Sequence, residues 1–134
     1  MKLFINKNLD ASSSSVISLT ENNTKSFQSL FLGDVQKLEI SVIDGLGNYD
    51  TLNATASLSI AIGDLQTGVI YAQNNNLIYD SSTKSHTGSL VLSTQALATA
   101  LNGLDQNNFT FEIQMDYEGN SVTIFQTDVT IFNQ

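Results

Sequence analysis

Phe109-Thr110-Phe111-Glu112-Ile113-Gln114-Met115-Asp116 alternates apolar and polar side chains without a break. Successive side chains of an extended chain point to opposite faces. This run is therefore a strand with Phe109, Phe111, Ile113 and Met115 on a buried side and Thr110, Glu112, Gln114 and Asp116 on a wetter one. Tyr117-Glu118-Gly119-Asn120 follows as a turn, with Gly119 or Asn120 suited to the positive φ that a tight hairpin needs. The return strand covers residues 121–132. Its Val122 and Ile124 stand in opposite parity to Val129 and Ile131, so either a bulge shifts the register or both faces are partly buried.

The same period of two extends outward from this hairpin. Leu38, Ile40 and Val42 alternate with Glu39, Ser41 and Ile43, and Ala56, Leu58, Ile60 and Ile62 alternate with Ser57, Ser59 and Ala61. Shorter strand candidates lie at 28–32, 69–72, 77–79 and 88–92. One stretch breaks the rhythm: residues 93–103 open on hydroxyl-bearing capping residues, carry Leu97 and Leu101 four positions apart, and close on Gly103. The expected architecture is an antiparallel β-sandwich of seven to nine strands with one short crossover helix near 94–102. Its core is expected to hold Leu38, Ile40, Val42, Leu58, Ile60, Phe109, Phe111, Ile113, Val129 and Ile131.

With 134 residues, 41% of them hydrophobic, the chain has enough apolar material for one domain with one core. Charged residues make up only 13%, about half the usual share. Ser, Thr, Asn and Gln take their place, giving a surface suited to packing and neutral hydrogen bonds. The net charge is −8, and the basic residues are the scattered lysines Lys2, Lys7, Lys25, Lys37 and Lys84. Without arginine there is no bidentate fork for phosphate or guanine, and an acidic chain is repelled by a phosphate backbone. No nucleic-acid partner is expected. No membrane insertion is expected either, because no run approaches the roughly 18 apolar residues that a span requires. The apolar stretch after Lys2 is too short for the core of a signal peptide, which points to synthesis in a cytoplasm.

Candidate chemistry is sparse. The chain has no cysteine, so thiolate metal sites, disulfides and thiol nucleophiles are excluded. His86, the single histidine, sits in Ser81-Ser82-Thr83-Lys84-Ser85-His86-Thr87-Gly88 and reads as a solvated loop residue. The carboxylates, among them Asp34, Glu39, Asp64, Asp80, Asp105 and Glu112, are spread singly. Asp44-Gly45-Leu46-Gly47-Asn48-Tyr49-Asp50 gathers three oxygen-bearing side chains. However, the spacing is not that of an EF-hand and the bidentate Glu is missing. The stretch reads as a β-connection in which Gly45 and Gly47 meet turn geometry. Asn22, Asn53 and Asn108 head glycosylation-type triplets, which a chain rich in Asn and Thr produces by chance. Tyr49, Tyr71, Tyr79 and Tyr117 fall at strand ends, where rings either rim the core or stack on sugars. No catalytic residue, metal site or cofactor is expected.

Residues 1–26 differ from the remainder: a short apolar start, the run Ser12-Ser13-Ser14-Ser15, and a polar stretch from Glu21 to Ser26. This composition divides the chain into an N-terminal assembly arm, 1–26, and a sandwich domain, 27–134. The arm is held by a neighbouring subunit or by the domain's own sheet. In the first case Leu3, Phe4, Ile5, Val16, Ile17 and Leu19 form the interface, in two runs able to add strands to an exposed edge.

Gly33-Asp34 leading into the strand at 38–43, then Asp44-Gly45-Leu46-Gly47-Asn48-Tyr49-Asp50-Thr51-Leu52-Asn53-Ala54-Thr55 and the strand at 56–62, resembles the N-terminal domains of phage baseplate upper proteins. It also resembles related tail- or fibre-attachment proteins. The later order of Thr87-Gly88-Ser89-Leu90-Val91-Leu92, a short helix and a closing hairpin resembles the second half of that group. Leu52-Asn53-Ala54 departs from its usual Leu-Thr-Gly-Ala. The resemblance implies a non-enzymatic virion protein, made in the host cytoplasm, of the tail, baseplate, capsid-decoration or fibre-attachment kind. Its partners would be other virion proteins or further copies of itself, such as a trimer. The alternative is a glycan- or receptor-binding module on a phage or cell surface.

Overall fold

The computed structural model describes residues 2–6, 17–20, 29–43, 48–49, 55–64 and 66–133. In chain order these form β1 (Lys2–Asn6), β2 (Ile17–Thr20), β3 (Leu30–Phe31), β4 (Val35–Ile43), β5 (Ser57–Asp64), β6 (Val69–Asn74), β7 (Ile78–Asp80) and β8 (Ser85–Val91). Helix α1 (Gln95–Leu101) precedes β9 (Gln106–Tyr117) and β10 (Asn120–Phe132). Two five-stranded sheets result, one in the order β2-β1-β4-β8-β7 and the other β3-β10-β9-β5-β6. The expected β-sandwich with one short helix is what the chain forms, but with ten strands among the described residues where seven to nine were expected. It is not purely antiparallel: β1 runs parallel to β4, and β3 runs parallel to β10.

The inward parity read from the alternation holds in every strand that forms the core. Leu38, Ile40, Val42, Leu58, Ile60, Phe109, Phe111, Ile113, Val129 and Ile131 are all buried, joined by Leu3, Ile5, Leu30, Ile62, Leu90 and Leu92. The β9–β10 hairpin turns through Glu118 and Gly119, both at positive φ, the backbone of a type I′ turn. The parity conflict in β10 resolves as a bulge between Thr123 and Phe125. The extra residue, Ile124, is buried together with Phe125, while Val122 remains exposed.

Helix α1 carries the chain from one sheet to the other. The Thr94 hydroxyl accepts from the Leu97 amide and donates to the Tyr71 carbonyl, so it caps the helix and ties it to β6. Leu97 and Leu101, one turn apart, are fully buried, and Asn102 and Gly103 end the helix at positive φ. A second junction lies at Leu32-Gly33-Asp34. Gly33, at φ +95°, makes a turn that moves the chain from the β3 sheet to the β4 sheet. The Leu32 amide bonds Phe132 O, the Gly33 amide bonds Leu92 O, and the Leu92 amide bonds Asp34 O, pinning both sheets at this corner.

The β5–β6 pairing shifts register beside Gly63. A Cβ built on Gly63 would lie 2.0 Å from the Val69 carbonyl oxygen and 2.9 Å from the Ile70 Cα. Backbone, not a flexible side chain, fills that space, so Gly63→Ala requires the start of β6 to move. The expected cost is about 1–3 kcal/mol, read as a lower midpoint in chemical denaturation. Gly88→Ala is the contrast, because its nearest obstacle is the end of the Leu77 side chain, 2.3 Å away, which can rotate. Equal losses at the two sites would contradict the close backbone approach at Gly63.

Candidate functional site

Of the residues expected to form an assembly interface, Leu3, Phe4 and Ile5 occupy different environments. β1 does not project from the domain. It lies between β2 and β4, pairing Leu3 with Ile40 and Ile5 with Val42, and Leu3 (1% exposed) and Ile5 (0%) belong to the core. For this segment the domain's own sheet is the answer, and the separation of an arm from the sandwich does not hold at Lys2–Asn6. The physical reason is that Leu3 and Ile5 cover the open edge of β4 and bury apolar surface there at no cost in association entropy. Phe4 pairs with Ser41, faces the outer side of the sheet, and is half-buried. Ile17 and Leu19 lie in β2 opposite Asn6 and Phe4. Val16 is outside the described residues.

His86 is buried (2% exposed) in β8, not solvated in a loop. It pairs with Ile40 and so shares its inward face, and its ring centroid lies 5.1 Å from that of Tyr79. Its neighbour Ser85 points the other way, donating to Glu39 Oε1 at 3.2 Å. The serine and carboxylate are thus on one side of the sheet and the imidazole on the other, so these three do not form a proton relay. Ser41 is buried near Ser85 and donates to Lys84 O at 3.0 Å. Lys84 itself, at φ +52°, holds Nζ 5.2 Å from the centre of the Tyr49 ring. Asp80 Oδ1 accepts from the Ser82 hydroxyl at 2.6 Å and the Ser82 amide at 2.9 Å. These two bonds favour the charged form and hold Asp80 below the ordinary aspartate value.

Among the described residues no group of three or more His, Cys, Asp or Glu is placed to hold a metal ion. Of the 44–50 loop only Asn48 and Tyr49 are described, so its aspartates lie outside the structural account. No described helix is long and apolar enough to cross a membrane.

Among the described residues no further strand pairs with the outer strands of either sheet. β2 and β7 flank one sheet, and β3 and β6 the other. The β6 and β7 edges expose Val69, Ile70 and Ile78, the last at 72%. Val35 and Val91, paired across β4 and β8, form a further exposed apolar couple.

An open groove of about 470 Å³ lies where the β5–β6 turn, α1 and the β9–β10 hairpin meet. Its lining includes Asp64, Tyr71, Asn107, Asn108, Thr110 and Asp128. Gly63, Thr110 and Asp128 lie in register across β5, β9 and β10. Tyr71 is half-buried and meets Phe109 edge-on at 5.6 Å. Asn107 is held at both ends, Oδ1 accepting from the Asn108 amide and Nδ2 donating to Ala100 O. Asn108 Oδ1 accepts from the Thr130 hydroxyl at 2.8 Å. In the sequence Asp64 stands among scattered carboxylates and Tyr71 among strand-end tyrosines. Nothing in the order of residues announces that they share one groove.

No protein-family model matches the chain, and no curated protein matches it. Among solved structures it is similar to the N-terminal domain of phage TP901-1 ORF48, at 11% identity and a TM-score of 0.43, over 99% of this chain and 98% of that one.

Proposed function

We propose that this chain is a non-enzymatic structural subunit of a bacteriophage particle, acting through protein–protein contacts in the tail, baseplate, capsid decoration or fibre attachment. The supporting observation is its layout: the Gly33-Asp34 turn, the strands on either side of the 44–55 connection, and the helix before a closing hairpin. Together these resemble baseplate upper protein N-terminal domains. The surface is compatible with such a role. The outer edges of β6 and β7, which pair with no further strand among the described residues, and the Val35–Val91 couple offer backbone groups and apolar area to neighbouring subunits. Its acidic character and lack of arginine disfavour contact with packaged nucleic acid.

Mass spectrometry of purified particles tests this reading. The expected result is a fixed copy number per particle, with cross-links from the β6–β7 region to another virion protein or to a second copy. Absence of the chain from washed, infectious particles would overturn it.

A further inference from the structure

We propose that the groove between the β5–β6 turn, α1 and the β9–β10 hairpin is a binding site for one or two neutral pyranose units. Tyr71 supplies the stacking face, and Asp64, Asn108 and Asp128 supply the polar clamp. This proposal stands apart from the particle reading, since it concerns a ligand and not an assembly contact.

Charge selects the ligand class first. Among the described residues the lining carries the carboxylates of Asp64 and Asp128 and no Lys, Arg or His, on a chain of net charge −8. Phosphates, nucleotides and acidic sugars are repelled. A bare divalent cation is poorly served, because the described residues hold no set of three acidic or imidazole ligands. Of the classes left, an organic cation would use the carboxylates alone, whereas a neutral molecule rich in donors and acceptors also uses the Asn108 amide.

The polar groups fit that molecule. The backbone carbonyls of Asp64 and Asp128 accept from Thr67 and Thr127, and both side chains are exposed, so their carboxylate oxygens can accept from hydroxyl protons of a ligand. Asn108 engages Oδ1 with Thr130, which fixes the amide plane and leaves Nδ2 to donate to a hydroxyl oxygen. Asn107, bonded at both ends, holds this strand entrance in place. Tyr71 adds the apolar component. Its ring is steadied by the edge contact with Phe109 and its backbone by the Thr94 hydroxyl, and the negative π face of a tyrosine attracts the C–H face of a sugar ring. The groove volume of about 470 Å³ lies within the roughly 300–1,000 Å³ usual for ligand clefts.

The test is amide-resolved NMR titration of the full chain with methyl α-glucoside, methyl β-galactoside and methyl α-mannoside, with CaCl₂ and methylammonium chloride as controls. The expected result is a shift pattern from at least one glycoside centred on Asp64, Tyr71, Asn108, Thr110 and Asp128. Tyr71→Ala and Asp128→Ala should each weaken that binding at least about tenfold. Asp128 is exposed, so its variant tests the site even if Tyr71→Ala disturbs the fold. No glycoside response, a response elsewhere on the surface, a response to the cations alone, or an Asp128→Ala protein that binds unchanged would overturn the proposal. Absence of the chain from particles would leave the titration unaffected, so the two readings fail separately.

Discussion

Removing residues 1–6 is expected to abolish cooperative folding. β1 contributes Leu3 and Ile5 to the core, and its backbone bridges β2 and β4. Losing a fully buried Leu or Ile side chain costs about 2–5 kcal/mol, and two such losses approach the whole stability of a small domain, about 5–15 kcal/mol. The truncated chain also exposes the β4 edge, with an apolar strip at Ile40 and Val42 open to aggregation. Circular dichroism during heating should show no sharp transition, and most of the protein should be insoluble. Ile5→Ala in the intact chain should retain a transition at a lower midpoint. A second measurement separates a strand inserted by its own chain from one lent by a neighbour. Insertion within the chain predicts a midpoint independent of protein concentration, whereas exchange between chains predicts one that rises with it. A truncated protein that unfolds cooperatively within a few degrees of the parent would restore the detachable arm.

Phe111→Ala is expected to destabilise by about 3–5 kcal/mol. Phe111 heads the fully buried side chains by volume. It sits in the middle of β9, pairing with Ile62 of β5 and Thr127 of β10, and its ring meets Phe125 at 6.1 Å. Removing the ring leaves a cavity bounded by strands on both sides, which cannot collapse without breaking their pairing. Phe111→Leu, which keeps much of the volume, should lose markedly less. Urea denaturation of the two variants measures the difference. A loss of under about 1 kcal/mol for the alanine variant would mean that the centre of the core is elsewhere.

The sequence alone determined which side chains face inward. Alternation in Phe109 to Met115, Leu38 to Val42 and Ala56 to Ile62 places them correctly because extended backbone geometry imposes a period of two wherever the chain runs. Local chemistry also marked the helix, through Thr94, the Leu97–Leu101 spacing and Gly103, and the turn at Glu118-Gly119. The parity conflict in β10 allowed a bulge or two partly buried faces, and the structure has the bulge. Only the tertiary structure decided which strands are neighbours. Pairing is made by backbone N–H and C=O groups that every residue carries, so Leu3-Phe4-Ile5 reads the same whether it lies against its own β4 or another chain's edge. His86 was misread for a related reason. Its polar surroundings in sequence suggest a loop, yet its pairing with Ile40 turns the ring inward. The groove was illegible altogether, because Asp64, Tyr71, Asn108 and Asp128 meet only when β5, β6, β9 and β10 align, and no local periodicity encodes contact across that separation.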